Sequence, residues 1–77
     1  MATEEKNIDL IELGNRIKAL RIKAGYSSYE TFAYDKGIHR AQIGRYEKGE
    51  NLHYLSLLKV VRALDMTMEE FFSEGFN

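Results

Sequence analysis

The 77-residue chain has no cysteine and no proline. Without cysteine there is neither a disulfide nor a thiolate metal site, so the core must hold the fold by packing alone, as suits a reducing cytoplasm. Without proline no helix carries a built-in breaker, and the six glycines fall mostly between periodic segments. The expected class is therefore all-α with short turns. There is also no apolar run long enough to span a membrane, no signal-peptide pattern, no internal repeat and no low-complexity tract. A soluble cytoplasmic protein is expected, one domain with a thin core.

There is no net basic charge: 11 lysines and arginines stand against 12 acidic residues, for a formal net charge of −1. Divided along the chain it is uneven: residues 1–12 carry −3, residues 13–48 carry +5 and residues 49–77 carry −3. A basic central segment in an acidic protein is an electrostatic footprint for a polyanion.

That segment contains a stretch bracketed by Gly37 and Gly49. A helix of about two and a half turns fits between them. Ile43 and Tyr46, three apart, share its apolar side. Arg40, Ala41, Gln42, Arg45 and Lys48 fall on the other faces. Two forked guanidiniums, an amide, a methyl and a terminal lysine suit a nucleic acid. His39 precedes the helix as its N-cap, where histidine is a poor replacement for serine or threonine and a phosphate contact is a candidate role.

The flanking segments supply the scaffold. Residues 1–7 are polar and are expected to fray. From Ile8 a helix is expected, with Leu10, Leu13, Ile17, Leu20 and Ala24 as one apolar stripe and Arg16, Lys18 and Lys23 off it as a solvated basic face. Gly14 inside this helix costs about 1 kcal/mol relative to alanine, which points to close backbone packing there. Ser27 with Glu30 forms a capping-box pattern at the second helix, with Ser28 the other candidate cap. Phe32 and Ala33 give that helix its apolar face and Gly37 closes it, leaving a tight turn before the third. Tyr54, Leu57, Leu58, Val61 and Leu64 form the strongest stripe, and Thr67 to Glu70 cap a last short helix bearing Phe71 and Phe72. Phe76 lies in a tail, residues 74–77, where a loose end is expected.

Catalysis has little to work with. The two histidines are separated by a turn, and no Ser-His-acid or paired-carboxylate arrangement is evident. Glu47, Glu50 and His53 are imaginable metal ligands, but Gly49 interrupts them, so no enzyme, metal or cofactor is expected. The competing class is a protein-interaction module that docks through the aromatic C-terminal half.

As a set, these pieces resemble the DNA-binding domain of the XRE family, the phage Cro and repressor type. The matching segments are Leu13-Gly14-Asn15-Arg16-Ile17, Leu20-Arg21, Phe32-Ala33, Gly37-Ile38 and Ile43-Gly44-Arg45-Tyr46-Glu47-Lys48-Gly49. The pattern continues through Leu57-Leu58-Lys59-Val60-Val61-Arg62-Ala63-Leu64 and Glu69-Glu70-Phe71-Phe72. The stretch from Gly37 to Leu52 is also similar to restriction–modification controller proteins. The resemblance implies a compact, lambda-repressor-like five-helix bundle over residues 8–73 that binds double-stranded DNA as a small transcriptional regulator. By it, Arg40, Ala41 and Arg45 match base-reading positions and Gln42 reads or supports. Lys48 and the Gly49 amide match a backbone-contacting end. Ser28 and Tyr29 open the second helix, and Tyr29 stands where the family commonly has a phosphate-binding glutamine. The family also implies a buried Arg21–Glu47 ion pair. A lone domain of this size makes few base contacts, so a homodimer through the C-terminal helices is expected, with Tyr54, Met66, Met68, Phe71 and Phe72 as its surface.

Overall fold

The computed structural model describes residues 7–76, and it is helical from the second of them. Asn7 stops the chain from starting ragged: its side-chain oxygen accepts from the backbone N–H groups of Asp9 at 2.8 Å and Leu10 at 3.3 Å. Residue 7 is thus the cap of α1 rather than part of a frayed flank, and residues 1–6 lie outside the described residues. Five helices follow: α1 (Ile8–Lys23), α2 (Tyr29–Lys36), α3 (Arg40–Glu47), α4 (Tyr54–Ala63) and α5 (Met68–Phe72). No strand occurs among the described residues.

One core joins all five helices. It is built from Ile17 and Leu20 of α1, Phe32 and Ala33 of α2, Ile43 and Tyr46 of α3, Leu57, Val60 and Val61 of α4, and Phe71 of α5, with Ile38 from the turn between α2 and α3. These stripes differ from the expected ones at their ends. Ala24 is exposed because it is the C-cap of α1, beyond the last packed turn. Tyr54 is 63% exposed because it opens α4 before the helix meets the core.

Caps decide where the helices begin and end. Ser28, not Ser27, caps α2, its hydroxyl accepting from Glu30 N at 3.1 Å and Thr31 N at 3.3 Å. Thr67 and Glu70 form the expected reciprocal capping box on α5. Gly37, with φ +70°, ends α2 in the left-handed conformation that lets the chain turn sharply into α3.

Two expectations about the ends of the fold are corrected. Arg16 is not a solvated charge: its guanidinium donates to the carbonyls of Phe71 at 2.7 Å and Glu70 at 3.1 Å, tying α1 to the C-terminal end of α5. Carbonyls at a helix C-terminus lie beyond the intrahelical bonds and suit a cation; that of Glu70 also accepts from the Ser73 N–H at 3.2 Å and the Ser73 hydroxyl at 2.7 Å. Phe76 is not a loose end. It packs on the core, its ring centroid 5.0 Å from Phe72 and 6.1 Å from Phe71.

Candidate nucleic-acid interface

Helix α3 packs against both α1 and α2, and two glycines make the approach possible. A Cβ at Gly14 of α1 would run into the backbone carbonyl oxygen of Tyr46 and lie 2.9 Å from that of Glu47. A Cβ at Gly44 of α3 would lie 3.0 to 3.2 Å from the ring and hydroxyl of Tyr29. Tyr29 is thus half-buried across α3, its ring filling the space a side chain at 44 would take.

Beneath α3 lies a fixed charge. Arg21 Nε donates to Glu47 Oε2 at 2.7 Å and Arg21 Nη2 to Glu47 Oε1 at 3.0 Å, with side chains only 4% and 8% exposed. The third guanidinium nitrogen, Nη1, donates to the Tyr26 carbonyl at 2.6 Å. All three guanidinium nitrogens therefore donate, and Glu47 is occupied by arginine rather than grouped with Glu50 and His53. This pair pins the end of α3 to α1 and to the loop before α2.

With its inner side sealed by Ile43, Gly44, Tyr46 and the paired Glu47, α3 leaves its other side chains toward the surface. His39, Arg40, Ala41, Arg45 and Lys48 are exposed and Gln42 is half-buried. His39 is the N-cap but makes no side-chain capping bond. Ser28 is half-buried, its hydroxyl accepting the α2 caps and donating to Glu30 Oε1 at 2.8 Å. Three depressions surround the helix. Lys18, Ser28, Tyr29 and Lys48 share one of them, bringing a lysine of α1 beside the end of α3.

The other two depressions contain residues outside the set expected to contact DNA. Thr31 and Tyr34 of α2 line one together with His39 and Arg40, and Tyr34 is 89% exposed. Asn51, His53 and Ser56 line the other with Gln42 and Arg45. The only signal for Tyr34 was a large aromatic off the apolar stripe; Asn51 was a plain loop residue, and His53 stood out only as an imaginable metal ligand.

The central positive charge is divided by folding. Arg21 is neutralised internally, and Arg16 and Lys23 line a different depression with Asp65, Glu70 and Glu74. Lys36 lies over the Tyr26 ring, 5.9 Å from its centroid, beside Asp35. The Tyr26 hydroxyl donates to Asp35, and that hydrogen bond raises its pKa above the ordinary tyrosine value. What remains around α3 is Lys18, Arg40, Arg45 and Lys48, with Glu50 3.6 Å from Arg45.

The expected dimer surface is also redrawn. Phe71 is fully buried and unavailable, because it is the residue that α5 sinks into the core. Met66 and Met68 are half-buried and packed on the core. The large apolar side chains that α4 and α5 leave exposed are Tyr54 at 63%, Leu55 at 75% and Phe72 at 45%.

Known proteins share this arrangement. A family model described as helix-turn-helix matches residues 17–71. The restriction–modification controller protein C.AhdI from Aeromonas hydrophila is 36% identical, with a TM-score of 0.75 over 86% of this chain and 100% of that one. Wild-type controller protein C.Esp1396I is 26% identical, with a TM-score of 0.77 over 88% of each chain. The C.Esp1396I tetramer in complex with its natural 35 base-pair operator matches with a TM-score of 0.78 at 26% identity, over 88% of this chain and 90% of that one. No curated protein matches.

Proposed function

The chain belongs to the helix-turn-helix family, and from that premise we propose that it is a small transcriptional regulator that binds double-stranded DNA sequence-specifically, with α3 in the major groove. The observation that carries this is the outward face of α3. Arg40, Ala41 and Arg45 stand exposed on a helix whose inner side is sealed and whose end is pinned by a buried ion pair. A rigid helix with a forked cationic front is what direct readout requires, because base-edge hydrogen bonds demand fixed donors.

Arg40 and Arg45 are the guanine readers, each able to hold O6 and N7 with two parallel bonds. Ala41 offers its methyl to thymine, and Gln42 reads adenine or supports a neighbour. Lys48, His39, and the start of α2 at Ser28 and Tyr29 hold the phosphate backbone. The Ser28 hydroxyl is engaged in capping, so its part is to order the α2 amides; Tyr29 lines the depression it shares with Lys18 and Lys48. The protein acts in the cytoplasm as a homodimer through α4 and α5, by binding rather than catalysis and without a cofactor. The relative C.Esp1396I, seen as a tetramer on its operator, supports assembly on DNA.

A titration of random duplex at two ionic strengths tests this against an interaction module of the same fold. A DNA binder making six or more phosphate contacts per dimer loses about 10³-fold in affinity between 50 and 200 mM salt. Absence of any salt-dependent duplex binding removes the proposal.

A further inference from the structure

Glu50 places a carboxylate on the side of the molecule that faces a polyanion, where a negative charge by itself disfavours binding. Its position is fixed by the way α3 ends. The Glu50 N–H donates to the Arg45 carbonyl at 3.1 Å and the Gly49 N–H to the Tyr46 carbonyl at 3.0 Å, the paired closure of a helix that ends on a left-handed glycine. Gly49 has φ +94° and is buried against α1, where an added Cβ would lie 3.2 Å from Ile11 Cγ1. The backbone thus holds residue 50 beside residue 45, and the Glu50 Oε1 lies 3.6 Å from Arg45 Nε. Both side chains are about half exposed, at 54% and 50%. At that length and exposure the pair is weak and displaceable.

We propose that Glu50 is a positioning residue for Arg45 and sets the protein's discrimination between its operator and other DNA. The inference rests on the DNA-binding function proposed above. In the unbound protein and on unselected DNA the carboxylate occupies the guanidinium, so a single phosphate oxygen gains little by competing for it. A guanine edge offers two acceptors in the geometry of the fork and displaces the carboxylate. Glu50 therefore lowers non-specific affinity more than specific affinity.

The test measures binding to a selected site and to random duplex, at several salt concentrations, for wild type, Glu50→Gln, Arg45→Ala and the double variant. Glu69→Gln, on α5, controls for simple loss of a negative charge. We expect Glu50→Gln to tighten random-duplex binding about two- to fivefold, the range of one exposed ion pair. Its salt slope on random duplex should steepen by about one, the mark of one added phosphate contact. The selected site should change by less than about twofold, the melting midpoint should hold, and the gain should vanish in the Arg45→Ala background. Equal tightening on both duplexes, persistence of the gain without Arg45, the same gain from Glu69→Gln, or no gain at all would each overturn the proposal. A wild-type protein that binds no duplex would instead overturn the DNA-binding function, and that arm is read before any variant.

Discussion

Glu47 has two carboxylate oxygens and Arg21 takes both, in a pair whose side chains are almost fully buried. Removing one partner leaves the other charge buried beneath α3. Glu47→Ala should cost roughly 3–5 kcal/mol. In a domain of this size that lowers the melting midpoint by about 12 °C or more. An unchanged midpoint in thermal denaturation would mean the pair does not hold α3. On the outer face, reading and holding separate. Arg45→Ala should cost about 1–3 kcal/mol on the preferred site, relax choice at one base pair and weaken random-duplex binding much less. Lys48→Ala should weaken binding to all sequences alike and lower the salt slope by about one. Equal losses for Arg45→Ala on selected and random duplex would make Arg45 a phosphate clamp. Single residues were legible in the sequence when their chemistry was local. Gly14 advertised a close approach, and Thr67 with Glu70 advertised a cap. The partner of Arg16 was not legible, because the α5 carbonyls it caps are more than fifty positions away along the chain.

At the level of elements, α3 was readable because three signals coincided on it: bounding glycines, the Ile43–Tyr46 spacing and a polar front. Its packing was only half readable. Gly14 announced itself as a glycine inside an apolar stripe, but Gly44 did not, since its need arises from Tyr29 across the helix crossing. Gly14→Ala tests how strictly α1 and α3 must approach. Helix propensity alone favours alanine by about 1 kcal/mol in α1. The added methyl, however, would meet the Tyr46 and Glu47 carbonyls, backbone that cannot rotate aside. The sign therefore reverses, and urea denaturation should find Gly14→Ala destabilised. A stabilised variant would contradict the observed crossing. The C-terminal end was misread for a related reason. Position along the chain pairs Phe71 with Phe72 as one surface and leaves Phe76 in a tail, whereas in three dimensions Phe71 is fully buried and the other two pack around it.

For the whole molecule, the charge division along the chain overstated the positive face. Folding commits Arg21 and Arg16 internally and leaves Lys18, Arg40, Arg45 and Lys48 around α3. So small a basic surface favours two copies acting together, since specific affinity in this class of protein comes from two half-sites. Leu55, 75% exposed on α4, is the side chain through which to test assembly without disturbing the core. Leu55→Glu should leave the melt of the domain nearly unchanged, shift sedimentation toward monomer and weaken operator binding. A variant that remains dimeric would move the interface off this part of α4. The measurement that bears most directly on the proposed function is selection of bound sequences from a random duplex library. Sequence-specific binding through α3 should enrich a pseudo-palindrome with half-sites about 34 Å apart, one helical turn, and with guanine at positions lost on Arg45→Ala. Retention of duplexes with no enriched sequence would contradict it.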